Sequence, residues 1–201
     1  MLFRTPRLVK IEPWDDYLAH ASKRTRREYR YACAAHPGDV YAEVPLERAE
    51  LQHWMSVWER QIVEGKHQTW TYSVERFVDE GWRLFRCEAG VHPLLVCDEY
   101  CYAGPPLYEK EATPYAAKCM WFGAIRWCSE NAVKWLDLQG PGAMTWRALL
   151  QNPDASYKWR YVSPEDRAHP ELAAPWLSQC CACGWRQLVE RESPCRHCAP
   201  G

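Results

Sequence analysis

The stretch TPYAAKCMWFGAIRWCSENAVKWLD, Thr113 to Asp137, decides the fold, because it reads as one buried helix feeding directly into one buried strand. Thr113 suits an N-cap, Pro114 the first helical position, and Asn131 the left-handed residue that ends a helix. Between them Ala117, Met120, Trp121, Ala124, Ile125 and Cys128 recur at spacings of three and four, with Lys118, Arg126 and Glu130 on the flanks. An amphipathic helix with one face on a core follows. Ala132 to Leu138 is short, apolar on alternate residues and closed by QGPG, as a strand in the middle of a sheet would be. The start of the helix, with open N–H groups and the positive end of the dipole, is a ready anion site.

Upstream of this unit, Thr69 to Val74, Trp82 to Glu88 and Val91 to Tyr102 are rich in aromatic and β-branched residues and read as strands. Ala89-Gly90 supplies a hairpin turn, and Pro93 belongs at an edge or a bulge. Asp98, Glu99 and Tyr100 then fall on a strand just ahead of the helix, either as its polar face or with a carboxylate able to take a proton from an amine. Nearer the start, Arg7 to Glu12 reads as a strand, Asp15 and Asp16 open one long helix to about Ala35, and Asp39 to Val44 reads as a strand. Leu46 to Glu64 is a second helix, its apolar stripe formed by Leu51, Trp54, Met55, Trp58 and Ile62. YKWRYV, Tyr157 to Val162, is a last strand-like piece. Helices interleaved with a mixed, mostly antiparallel sheet make an α/β fold.

With 201 residues and 47% hydrophobic composition the chain can bury a sizeable core and carry a small appendage. No apolar run approaches a membrane span and MLFRTPRLVK lacks a signal-peptide core, so a cytoplasmic protein without membrane contact is expected. A net charge of -1 excludes a global basic field, and nucleic-acid binding would need a local patch. One such patch is SKRTRREYR, where Lys23, Arg24, Arg27 and Arg30 make either a merely solvated helix or a surface that contacts phosphates. Twelve tryptophans against four phenylalanines serve as core residues or line a groove that stacks a base or sugar.

The tail carries the strongest chemical signal. Cys180 and Cys183, then Cys195 and Cys198, form two C-x-x-C knuckles whose four thiolates suit one tetrahedral structural zinc, with Cys181 able to replace Cys180 and His197 a poor substitute. Pro170 and Pro175 mark a linker, giving residues 1–165 as the main domain, 166–178 as linker and 179–201 as zinc ribbon. Such a ribbon either grips nucleic acid or protein, or only fixes the end of the chain.

The order of elements, with YLAHASKRTRREYRYACAAHPGDV, WFGAIRWCSENAVKWLDLQGPG and Tyr157-Lys158 within YKWRYV, resembles the GNAT acyltransferase superfamily, in particular the Fem-type branch that contains peptidoglycan aminoacyltransferases. The resemblance implies a GNAT-like sheet and transfer of an acyl group from acyl-CoA or aminoacyl-tRNA to an amine acceptor. It also implies that Lys158 approaches the donor's phosphate or reacting end with Tyr157 packed beside it. YEKEATPYAAK contains no glycine, so phosphate would rest on Thr113, Tyr115, Ala116, Ala117 and Lys118 at the helix start. Asp98 and Tyr100 are the expected proton acceptor or shuttle, and a tRNA or DNA partner fits the basic helix together with the ribbon. The rival reading is a non-catalytic binding module, with the same core as scaffold and the ribbon as reader of nucleic acid or protein.

Overall fold

The computed structural model describes residues 2–3, 8–38, 40–64, 72–109, 111, 113–138, 161, 176–179 and 186–189. Its elements in chain order are β1 (Leu2–Phe3), β2 (Leu8–Lys10), α1 (Trp14–His20), α2 (Lys23–Ala35), β3 (Ala42–Val44), α3 (Arg48–Glu64), α4 (Val74–Asp79) and β4 (Arg83–Cys87). There follow β5 (Gly90–Cys97), β6 (Tyr100–Ala103), β7 (Leu107–Tyr108), α5 (Ala116–Glu130), β8 (Trp135–Asp137), β9 (Trp176–Gln179) and β10 (Arg186–Val189). The main sheet runs β2-β8-β6-β5-β4-β3, with β7 also on β5. Every pairing in it is antiparallel except β6 with β8, which α5 joins as a crossover. A second sheet sets β1 and β10 on either side of β9.

Strand alternation sorts the core into two layers. Phe85, Leu94, Cys101 and Leu136 face α5 and its Trp121, Phe122 and Ile125, with α1 and α2 packed behind. Leu84, Val91, Tyr100 and Tyr102 face the other way, onto Leu51 and Met55 of α3 and Phe77 of α4. The α3 stripe therefore packs as the periodicity requires, with Trp54 and Trp58 partly buried beside it.

Several expectations change. The long first helix is two helices, because Ser22 adopts an extended conformation and caps α2 by accepting from the Thr25 amide at 3.1 Å. Arg26 closes α1 by donating to the Ala19 and Ala21 carbonyls. The strand expected up to Val74 gives way to helix α4, whose Ser73 cap accepts from the Arg76 amide and whose Val74 and Phe77 are buried one turn apart. Burial and a cap outweigh β-propensity there. Val91 to Tyr102 is two strands, broken where Asp98 turns at φ 50°.

Pro93 stands in the central strand β5, yet its carbonyl accepts from the Gly104 amide at 2.7 Å. Its missing N–H therefore faces the break between β6 and β7, where a ladder bond is not required. The ends of α5 also shift. Thr113 is not the cap: Tyr115 occupies that place at φ 62°, with no side-chain cap bond, and the Thr113 carbonyl instead accepts from Ala116. At the far end Asn131 has φ −124° and donates its side-chain amide to the Trp127 carbonyl at 2.8 Å, while Ala132 takes the left-handed turn at φ 57°. No described helix is long and apolar enough to cross a membrane.

Candidate functional site

The crossover gives the sheet a short parallel ladder. β6 and β8 pair only over Tyr100↔Trp135, Cys101↔Leu136 and Tyr102↔Asp137, and among the described residues that ladder goes no further. Beyond it the chain passes Gly104, Pro105 and Pro106 and returns to β5 as β7, so two residues without an N–H stand where a continuing strand would donate.

At this end of the ladder a carboxylate is buried. Asp137 is 2% exposed, and Tyr100 donates its phenol to Oδ2 at 3.0 Å. Hydrogen bonding is what lets a carboxylate stay in such a place. Tyr102 lies beside it in the same layer, its hydroxyl 3.5 Å from that of Tyr72. Tyr100, expected as a proton carrier, thus has a buried acceptor that sequence reading missed. The available signal was one acidic residue inside the apolar strand WLDL.

Asp98 does not join this pair through a strand. It is an exposed turn residue between β5 and β6, at the end of the sheet where α5 finishes, and its neighbour Glu99 pairs with Lys134 at 2.6 Å. Chain direction explains this: in a parallel crossover the helix begins beyond the far end of the first strand.

The start of α5 is more enclosed than its sequence suggests. The Ala116 amide donates to Thr113, and the Lys118 and Cys119 amides both donate to Tyr115, leaving that of Ala117 without a backbone partner among the described residues. The Lys118 ammonium lies 4.8 Å from the centre of the Tyr115 ring and 3.7 Å from Glu28 of α2. His36, at the end of α2, donates Nε2–H to the Pro114 carbonyl at 2.9 Å, and its Nδ1 is 3.7 Å from the Glu88 carboxylate.

A second histidine links this side to the break in the strands. His92 is fully buried and its Nε2 is 3.0 Å from the Gly104 carbonyl, an acceptor only, so that nitrogen carries the proton. Nδ1 then accepts from the Tyr41 hydroxyl at 2.9 Å. Burial holds the Tyr41 phenol well above the usual range, so it remains a donor. No sequence spacing announced this pair, which is 51 residues apart.

Lys23, Arg24, Arg27 and Arg30 are all exposed along α2. Arg24 reaches Glu28 at 3.4 Å; the other three have no ion-pair partner among the described residues. Tyr157 and Lys158 lie outside the described residues. Tyr161, at the end of the same motif, is buried, with its carbonyl accepting from Tyr17 at 3.1 Å and its ring 5.3 Å from that of Phe122.

Cys180, Cys183, Cys195 and Cys198 also lie outside the described residues. The flanking strands do bear on them: β9 and β10 pair from Gln179↔Arg186 onward, so the segment carrying the first knuckle connects two hydrogen-bonded strands. Two C-x-x-C pairs fit a tetrahedral zinc by donor type and sequence spacing. Among the described residues no group of three or more His, Cys, Asp or Glu side chains is arranged to hold a metal. Comparison with protein families, curated proteins and solved structures finds no match for this chain.

Proposed function

We propose that this chain is a GNAT-type N-acyltransferase with a C-terminal zinc ribbon, moving an acetyl or aminoacyl group from acyl-CoA or aminoacyl-tRNA to an amine. The observation that carries the reading is the β6–α5–β8 crossover, which among the described residues is the one parallel pairing of the main sheet and ends at Tyr102↔Asp137. The end of a parallel ladder, with a helix starting beside it, suits a thin acyl carrier whose phosphates lie toward the helix start.

In this mechanism the amine nitrogen attacks the acyl carbon, and the carbonyl oxygen takes the negative charge. Collapse breaks the bond to the thiol or ribose oxygen of the carrier, which leaves with a proton. Tyr100 accepts the proton of the amine as it passes its own to Asp137, and the same hydrogen-bonded pair returns a proton to the leaving thiolate or alkoxide, so Asp137 ends as it began. Zinc held by Cys180, Cys183, Cys195 and Cys198 would have no open position, and would fold the ribbon rather than react.

Purified protein is incubated with acetyl-CoA or aminoacyl-tRNA and a panel of amines, nucleic-acid-borne amines included, and products are read by mass spectrometry. Acyl product that disappears in a folded Asp137→Asn protein supports the reading. No product with any donor, together with nucleic-acid binding undiminished in Lys158→Ala, replaces it with the binding module.

A further inference from the structure

Among the described residues three large apolar side chains stand exposed, Tyr31, Val40 and Tyr115, and two of them meet. The Tyr31 ring, on α2, lies 6.0 Å from the Tyr115 ring at the start of α5, tilted by 47°. Tyr31 is 48% exposed, so a large part of one flat ring is offered to solvent. Tyr115 is more than a third exposed, and the Lys118 ammonium lies 4.8 Å from the centre of its ring, which fixes a cation beside the pair. Rings left together in water are surface that a partner can bury.

Helical spacing brings further cations to the same place. Arg24, Arg27 and Tyr31 stand at intervals of three and four and share one face of α2, with the arginines about 10 and about 6 Å before the ring along the axis. Glu28, on the flank of that face, ties the two helices together, its carboxylate 3.4 Å from Arg24 and 3.7 Å from Lys118. Its side chain is 10% exposed where those of Arg24 and Lys118 are 61% and 29% exposed, so the acid sits beneath the cations it holds and solvent meets the positive ends. Arg27 is exposed as well. Three cations with one screened acid therefore adjoin an exposed ring, in a protein whose net charge of -1 supplies no general attraction for polyanions.

A lipid or an apolar peptide needs a wider apolar patch than two tyrosines, and an acidic peptide has no use for the rings. Duplex nucleic acid keeps its base faces inside the stack. The chemistry that uses rings and cations together is an unpaired base on a phosphate strand. We infer that Tyr31, backed by Tyr115, stacks a base of a single-stranded nucleic acid whose phosphates lie on Arg24, Arg27 and Lys118. This goes beyond the transferase reading and does not require it, since binding is measured with no acyl donor present.

The test uses the full chain and fluorescently labelled short single-stranded oligonucleotides, each compared with an abasic strand of equal length and charge and with the duplex of the same sequence. Wild type should prefer the base-bearing single strand to the abasic one by about 5- to 100-fold, the range expected for one base stacked on an aromatic side chain. Tyr31→Ala should remove that preference and leave affinity for the abasic strand unchanged, while Tyr31→Phe, which keeps the ring, should retain it. Because Tyr31 is exposed, both variants should keep the wild-type thermal midpoint. Arg27→Ala should instead weaken both strands alike and lower the salt slope by about one. Equal binding of abasic and base-bearing strands by wild type overturns the site, as does a base preference that survives in Tyr31→Ala, or duplex bound as tightly as the single strand. Competition by polyglutamate as strong as that by unlabelled oligonucleotide also overturns it, and assigns the surface to an acidic protein partner instead.

Discussion

Gly123 lies in the middle of α5, where alanine would ordinarily be preferred by about 1 kcal/mol. Here the expected sign is reversed. A Cβ built on Gly123 falls 2.4, 2.6 and 2.8 Å from atoms of Tyr41, so the ring must move. It cannot retreat freely, because it stacks on Phe85 and its hydroxyl donates to buried His92. Overpacking of this kind costs about 1–3 kcal/mol, and loss of the Tyr41–His92 bond adds about 1 kcal/mol. After the helical gain is set against these, Gly123→Ala should destabilise by about 2 kcal/mol, lowering the thermal midpoint by ~4–8 °C for a chain of this size. Calorimetry or urea unfolding reads the change directly. The same substitution made in a Tyr41→Ala background should stabilise by about 1 kcal/mol, since only helix propensity then remains. A rise in midpoint for the single Gly123→Ala protein would refute the close approach of α5 and Tyr41.

Three further outcomes follow from the packing and the charges. Tyr100→Phe should cost about 1.5–3 kcal/mol, measured by unfolding, because it removes the phenol donor from the buried Asp137 carboxylate; an unchanged stability would mean that the bond does not form. The Arg83 guanidinium beside Glu43 lowers the Glu43 carboxyl below its ordinary 4.5, so this pair stabilises the fold above about that pH and ceases to as pH falls through the lower, folded value. Both side chains are more than a third exposed, so Glu43→Gln should cost no more than ~0–1 kcal/mol at neutral pH, and its unfolding curve should converge with wild type in acid. Metal analysis of the purified protein should find one zinc per chain, lost in Cys195→Ser, with the main sheet retaining its cooperative unfolding; full zinc in that variant would exclude Cys195 as a ligand.

The sequence by itself determined the identity and order of α3, β4, α5 and β8, but not helix α4, the break between α1 and α2 or the turn between β5 and β6. Periodicity in Thr113 to Asp137 placed α5 and β8, since a helix buried on one side must repeat its apolar residues every three or four positions. It also placed the face of α3 and the exposed cations of α2, and it supplied the knuckle spacing of the tail. Local signals were weaker at boundaries: Thr113 lost its capping place to Tyr115, and Asn131 lost the left-handed turn to Ala132, because chain closure around the helix ends fixed those angles.

Only the tertiary structure decided which distant groups meet. Asp137 is one acid in an apolar strand, with no partner legible in the sequence, until the register of β6 against β8 brings Tyr100 to it, and His92 gains its fixed tautomer only where Gly104 and Tyr41 converge. Hydrogen bonds such as these join residues through strand register and helix docking. Those depend on the sum of packing over the whole core, and no local pattern of side chains records that sum.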